Sequence, residues 1–284
     1  MTTNCDSKLL KRFATNTRKD VLELCLRSDN QKAHLGGCMS SVEVLAVLYG
    51  SIMKFARRDG ALTRESDRFI MSKAHAAIAQ YAALHQAGIL SDEEIALPIR
   101  GENTILFRHP KRNPKKGIEM SGGSLGLGIG YAAGLALAAR RENLDYHTYV
   151  MLGDGECNEG SVWESANFIS HYGLNNLTVI IDANGLQLDG AVLEIPGGGH
   201  ERLKWEAFGF EVLEIDGHDV VAIHDALLRT SKKPKAIISR TVKGKGVSFA
   251  ENKTEWHDNI LTQELYSRAL TELVQVESEQ SNEE

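Results

Sequence analysis

Tyr149-Val150-Met151-Leu152-Gly153-Asp154-Gly155 closes an apolar run on a Gly-Asp-Gly turn, and Leu177-Thr178-Val179-Ile180-Ile181-Asp182-Ala183-Asn184-Gly185 closes a second one on Asn-Gly. Between them Val162, Ala166 and Ile169 recur at helical spacing. The stretch therefore reads as strand, turn, amphipathic helix, strand and turn, with the helix packing on a sheet as it crosses between parallel strands. Two strand ends that each offer an oxygen ligand beside glycine turns describe a seat for a divalent cation and a diphosphate. Glycine lets the backbone approach phosphate oxygens closely, and a helix starting at Gly160-Ser161 aims free N–H groups and a positive dipole end at the same place. Mg²⁺ takes octahedral oxygen coordination, so Asp154, the Asn184 amide oxygen and the Leu186 carbonyl are the candidate protein ligands. Either turn alone is equally an ordinary turn; the ordered pair points to a phosphorylated organic cofactor.

Outward from this core, apolar strands alternate with helical patterns, which predicts an α/β fold: a mostly parallel sheet with helices on both faces. Strands are expected at Arg68 to Met71, Thr148 to Leu152, Leu177 to Asp182, Glu211 to Ile215 and Ala236 to Arg240. Helices are expected at Ser7 to Arg27, Ser41 to Phe55, Ala74 to Ala87, Leu125 to Arg141, Gly160 to Tyr172, Val220 to Thr230 and Thr262 to Val274. A loop from Leu97 to Ser121 has no period and carries His109, and the polar, acidic tail after Gln275 is expected to fray. Residues 1–284 are read as one diphosphate-binding domain.

With 42% hydrophobic residues in 284, the chain has enough apolar surface for a substantial core. A net charge of −6 leaves no basic stripe for nucleic acid. The cluster Lys111, Arg112, Lys115 and Lys116 reads as a solvated loop. Cys5, Cys25, Cys38 and Cys157 show neither metal spacing nor disulfide density, the longest small-apolar run is too short for a bilayer, and the amino terminus is polar, so a cytoplasmic setting is expected. Gly128-Ile129-Gly130 lacks the preceding strand of a dinucleotide fingerprint and reads instead as a helix start that packs closely.

From about Asp20 to His257 the sequence resembles the amino-terminal, diphosphate-binding half of the transketolases, which are thiamine diphosphate enzymes. The resemblance is carried by segments 67–75 (Asp67 to His75), 121–126 (Ser121 to Gly126), 153–164 (Gly153 to Glu164), 182–190 (Asp182 to Gly190) and 243–249 (Lys243 to Phe249), which fall in the family order. It implies active-site histidines at His34, His75, His109 and His257. Those matching His75 and His257 lie by the diphosphate, and those matching His34 and His109 face the sugar; imidazole suits both tasks. Lys73 and Lys243 match basic residues near cofactor or substrate. Gly123, Leu125, Gly153, Asp154, Gly155, Asn184 and Lys243 are implied in holding the cofactor, and Glu159 in linking sites across a subunit interface. The cofactors implied are thiamine diphosphate and Mg²⁺, with Ca²⁺ or Mn²⁺ as other divalent ions.

The activity implied is transfer of a two-carbon ketol unit from a ketose, usually a sugar phosphate, to an aldehyde. Full-length members continue past the position of His257 into a pyrimidine-binding domain carrying the cofactor-activating glutamate. A split transketolase is therefore expected: a subunit inactive alone, completed by a carboxy-terminal-half subunit in a heterotetramer around a two-fold axis. Departures from the family pattern bear on the substrate: Ala74 and Asn158 stand for a glycine and a glutamine, Phe107-Arg108, which would reshape the acceptor side, for a glycine pair before His109, and Asp258 for a glycine after His257. These keep open a specialised acceptor, or another thiamine diphosphate ketol or acyl transferase. A non-catalytic interaction subunit is the third reading, against which stand the retained Asp154, Asn184 and histidines.

Overall fold

The computed structural model describes residues 5–28, 32–99, 103–188, 190–195 and 197–282. Strands β1 (Arg68–Met71), β2 (Thr148–Gly153), β3 (Leu177–Ala183), β4 (Glu211–Asp216) and β5 (Lys235–Arg240) form an all-parallel sheet in the order β1-β2-β3-β5-β4. The central strands are buried along their whole length, which is why they read as continuous apolar runs. Alternate residues point to opposite faces. Phe69, Met71, Tyr149, Met151, Ile180 and Ile237 enter one core, and Ile70, Val150, Leu152, Val179, Ile181 and Ile238 the other.

The first core is roofed by α1 (Ser7–Leu26), α2 (Leu35–Met39), α3 (Val42–Val47), α4 (Ala77–Gln86), α8 (Val220–Leu228) and α9 (Gln263–Asn282). The second is covered by α5 (Gly128–Arg141), α6 (Gly160–His171) and, through Trp205, α7 (Glu201–Ala207). The chain leaves β3 by way of α7 to reach the edge strand β4, then returns by way of α8 on the opposite face to insert β5 beside β3. That reversal opens a crevice beyond the carboxyl ends of β3 and β5, where open α/β sheets hold their ligands.

Helix α8 ends on a buried lysine. Lys235 Nζ donates to the carbonyls of Ala226 at 2.8 Å, Leu227 at 2.7 Å and Arg229 at 3.0 Å, satisfying helix-end acceptors with a cation that also suits the negative end of the dipole. Lys235→Met is expected to lower unfolding stability by about 2 kcal/mol; a urea midpoint unchanged from wild type would show that the cap contributes nothing.

Several boundaries differ from the sequence reading. Helix α3 widens into a π-helical turn, Leu48–Ile52, closed by Met53 N–H donating to Leu48 O at 2.8 Å. Gly50 lies in this turn, where a Cβ would come within 3.1 Å of Leu10. Helix α5 starts three residues later than expected because Gly126, at φ +79°, turns the chain where a Cβ would collide with Ser161 and Glu159. As the sequence suggested, Gly128 packs closely: a Cβ there would meet Ser72. Beyond Gln275 the described residues continue as helix. Helix α9 runs to Asn282 with no glycine or proline to stop it, and Lys19 on α1 donates to Glu277 at 2.8 Å. No helix among the described residues is long and apolar enough to cross a membrane.

Candidate functional site

The ends of β1, β2, β3 and β5 deliver Ser72-Lys73, Asp154, Asn184 and Thr241-Val242-Lys243 to one crevice. Asp154 follows β2, whose last residue, Gly153, stands opposite Asp182 in β3. Its carboxylate accepts from the backbone N–H of Gly155 at 2.8 Å and of Gly185 at 2.7 Å. Gly185 sits at φ +77°, which glycine adopts without strain. In the same turn the Asn184 Oδ1 accepts from Leu186 N–H at 3.1 Å, and the Leu186 carbonyl accepts from Lys243 Nζ at 3.2 Å. The structure thus brings the Asp154 carboxylate against the turn that carries Asn184 and Leu186.

The anchor beneath them, Asp182, has no exposed surface. Its carboxylate accepts from Ser40 Oγ at 2.7 Å, Asn184 Nδ2 at 2.9 Å, Thr241 Oγ1 and the buried Lys73 ammonium, which also donates to Gly37 O at 2.8 Å. Burial alone would raise the Asp182 carboxyl, but the Lys73 charge and these donors outweigh it and hold it below the usual range. Asp154 is pushed the other way, to about 6, first by burial and then by the charge of Asp182. Lys243 is lowered to about 8, chiefly by burial and secondarily by Lys73.

Oxygen donors and a carboxylate short of positive charge suit a hard divalent cation. Among the described residues no three His, Cys, Asp or Glu cluster for a metal, and an ion seated here would meet one carboxylate, an amide oxygen and a carbonyl. A second carboxylate, Glu156, ties the neighbouring loop down: it accepts from Ser72 Oγ, Gly126 N–H at 2.8 Å and Gly153 N–H at 3.1 Å. This fixes the 121–127 segment bearing Gly123 and Leu125. Asp182, Glu156, Ser40 and Thr241 were missed as site residues, because their roles appear only once distant segments meet. Glu159 lies exposed at the start of α6 without a side-chain capping bond. Cys157 is buried, and burial raises its thiol well above the usual range, in keeping with a packing role.

All four histidines come together. Ring centroids lie 5.4 Å apart for His34 and His75, 5.4 Å for His34 and His257, 5.2 Å for His75 and His257, and 6.0 Å for His34 and His109. His257 Nδ1 is 3.2 Å from Lys243 Nζ. Burial lowers His34 to about 3 and His257 to about 4, and takes His75 well below its usual value, with Lys73 adding to the effect on His75 and Lys243 to that on His257. Near neutrality the 3.9 Å approach of His34 to Asp258 is therefore not an ion pair.

These imidazoles stay neutral in the folded chain well below 6.5, whereas the unfolded chain takes up protons from about that pH downward. The unfolded state then binds more protons, so stability is complete above about pH 6.5 and is lost as pH falls. Urea midpoints are expected to drop from pH 7 to pH 5, with His75→Gln flattening the slope by about one proton. A variant slope equal to wild type would contradict a neutral, buried His75.

The family model for the transketolase thiamine diphosphate binding domain matches residues 14–273. This chain belongs to the transketolase family. It is 38% identical over 259 residues to an apulose-4-phosphate transketolase subunit of Phocaeicola vulgatus, covering 90% of both chains. With the 6-deoxy-6-sulfo-D-fructose transketolase subunit SqwG of a Clostridium species it shares 38% identity over 243 residues, covering 84% of this chain and 88% of that one. The crystal structure of Campylobacter jejuni transketolase superposes with a TM-score of 0.84 at 27% identity, covering 95% of this chain but 43% of that one. The chain thus spans less than half of that solved transketolase and about nine-tenths of the two bacterial subunits. It corresponds to the thiamine diphosphate-binding, amino-terminal subunit of the split transketolases, and the expected α/β architecture is that of the family.

Proposed function

We propose that this transketolase subunit binds the diphosphate of thiamine diphosphate and a divalent cation at the β3/β5 crevice. A carboxy-terminal-half subunit bearing the pyrimidine-binding domain then completes the site for two-carbon ketol transfer from a ketose phosphate to an aldehyde. The observation that carries this reading is the meeting of the Asp154 carboxylate with the Asn184–Leu186 turn, which Lys243 joins to the histidine cluster through the Leu186 carbonyl and His257 Nδ1.

Asp154, Asn184 and the Leu186 carbonyl hold Mg²⁺, for which Ca²⁺ or Mn²⁺ would substitute. Gly153, Gly155, Gly123, Leu125 and the α6 start at Glu159 shape the diphosphate seat, while Lys243, His75 and His257 donate to it. The cofactor, when bound, supplies the electron sink that lets a ketose carbon–carbon bond break. The chain's part is to orient the sugar, exclude water and carry protons: His34, a neutral imidazole able to donate or accept, and His109 meet the sugar hydroxyls. The assembly expected is a heterotetramer about a two-fold axis, in the cytoplasm, with residues 1–284 acting as one diphosphate-binding domain.

Co-purification with a candidate carboxy-terminal-half subunit, followed by calorimetry with thiamine diphosphate and Mg²⁺, tests the reading together with a ketol-transfer assay using a xylulose phosphate donor. Binding and transfer by the complex, and neither transfer nor full affinity by the lone subunit, is the expected result. A complex that binds the cofactor but transfers no ketol points to another thiamine diphosphate transferase, and one that binds nothing to a non-catalytic subunit.

A further inference from the structure

Two departures from the family pattern, Arg108 and Asp258, are partners of each other. They lie 150 residues apart in sequence, each beside an active-site histidine, and the Arg108 guanidinium donates to Asp258 Oδ1. The same Nη2 lies 3.4 Å from His34 Nε2. Both side chains keep only about a quarter of their surface, at 21% and 29% exposed, so the pair is partly desolvated. It straps the His109 loop to the His257 loop across the front of His34. Asp258 and His257, with Lys32 and Leu188, line a cavity of about 480 Å³. One donor is left over: Arg108 Nε is buried and has no partner among the described residues. A buried guanidinium N–H without an acceptor is costly unless something supplies an oxygen.

We propose that Arg108 and Asp258 are one coupled specificity element at the sugar end of the site, in which Asp258 fixes the guanidinium plane and Arg108 Nε–H donates to a hydroxyl oxygen of the substrate. The ligand class is a hydroxyl-bearing carbon chain whose part facing Arg108 carries no charge. A second anion at this point would compete with the Asp258 carboxylate for Arg108. Where glycines occupy both positions, as the family pattern has them, neither the strap nor the donor exists. The element therefore selects hydroxylated over deoxygenated substrates by the loss a polar site suffers when its partner is missing. This inference rests on the ketol-transfer reading above and refines its substrate.

The test uses the full complex with thiamine diphosphate and Mg²⁺, comparing D-glyceraldehyde with 3-hydroxypropanal, which lacks the C2 hydroxyl, as acceptors. Arg108→Gly is expected to reduce the kcat/KM ratio of the two acceptors at least about tenfold, through the KM of the hydroxylated one, with kcat nearly unchanged. Asp258→Gly should do nearly the same, and the double variant should lose no more than either single, because the pair acts as a unit. Arg108→Lys, which keeps the charge without the planar Nε donor, provides a variant whose cofactor binding should equal wild type while discrimination is lost. Calorimetric binding of xylitol 5-phosphate, a reduced and non-reacting sugar chain, should weaken in parallel. A wild-type complex that transfers no ketol overturns the functional reading and this inference with it. An active wild type whose acceptor ratio is unchanged in Arg108→Gly and Arg108→Lys, or additive losses in the double variant, overturns this inference alone.

Discussion

Lys73→Met is expected to destabilise the subunit by about 3–5 kcal/mol, the cost of leaving one member of a buried ion pair uncompensated. Lys73 is 1% exposed and Asp182 fully buried, so water reaches neither charge. Removing the ammonium also strips the Gly37 carbonyl of its donor. The pH dependence gives the prediction its sign. In the wild type the Asp182 carboxyl lies below its usual 3.8, so it contributes stability that is present above that pH and lost on acidification. Without Lys73, burial dominates and the folded carboxyl moves above 3.8, so the destabilisation should be greatest at neutral pH and shrink towards pH 4. Adding Asp182→Asn, which removes the orphaned charge, should recover part of the loss. Urea unfolding at pH 7 and pH 4 reads all of this; a loss under about 1 kcal/mol at pH 7 would mean that the pair is not buried as described.

What the sequence disclosed and what it hid divide along a physical line. Strands β2, β3 and β5 were legible because a parallel strand covered on both faces is mostly apolar, as Leu177 to Ile181 is apart from Thr178. The proposed seat at Asp154 and Asn184 could be suggested from the sequence because both residues sit one position past a strand end beside a glycine. Helix α2 was not, since Leu35-Gly36-Gly37-Cys38-Met39 has two poor helix formers in five residues and is held by its surroundings. At Gly36 a Cβ would press on the Trp256 carbonyl and on Lys243, so the glycine is there for close approach and gives no helical signal. The extension of α9 past Gln275 was masked by polar composition, which the anchoring of Glu277 to Lys19 counters.

The hidden part of the site consists of pairings across long stretches of chain. Ser40 and Asp182 are 142 residues apart, and Ser72 and Glu156 are 84 apart. Asp182 looked like the polar end of a strand, and Glu156 like a turn carboxylate. Only the register of β2 against β3, which sets Gly153 opposite Asp182, makes the first the floor of the crevice and the second the staple of the 121–127 loop. Arg108 and Asp258 each looked like an isolated oddity, whereas together they form a single device. A motif scan reads positions along the chain, but charge compensation is settled between segments that no periodicity connects.

The second large effect separates function from stability at one residue. Asp154→Asn is expected to lower affinity for thiamine diphosphate and Mg²⁺ by roughly a hundredfold or more, because a neutral amide replaces the one carboxylate among the proposed ligands. The same change should relieve a charge penalty in the folded subunit in the absence of cofactor. Asp154 is 6% exposed and its carboxyl is raised from 3.8 to about 6 by burial and by Asp182, so the charged form works against folding. The folded state holds its proton more tightly than the unfolded one, so the penalty is present in full above about pH 6 and disappears below 3.8. The relief given by asparagine should therefore reach about 1–3 kcal/mol at pH 7 and vanish near pH 4. Gly155 and Gly185 donate to different carboxylate oxygens, so asparagine keeps an acceptor for one of these N–H groups and leaves the other unpaired, which offsets about 1–3 kcal/mol of that relief. Alanine would leave both donors without an acceptor, at about 1–3 kcal/mol each, and so should bind no cofactor and gain no stability. A carboxylate kept at such a cost to the fold is what a cation site requires. If Asp154→Asn binds thiamine diphosphate and Mg²⁺ as tightly as wild type in calorimetry, Asp154 is no ligand, whatever its effect on unfolding.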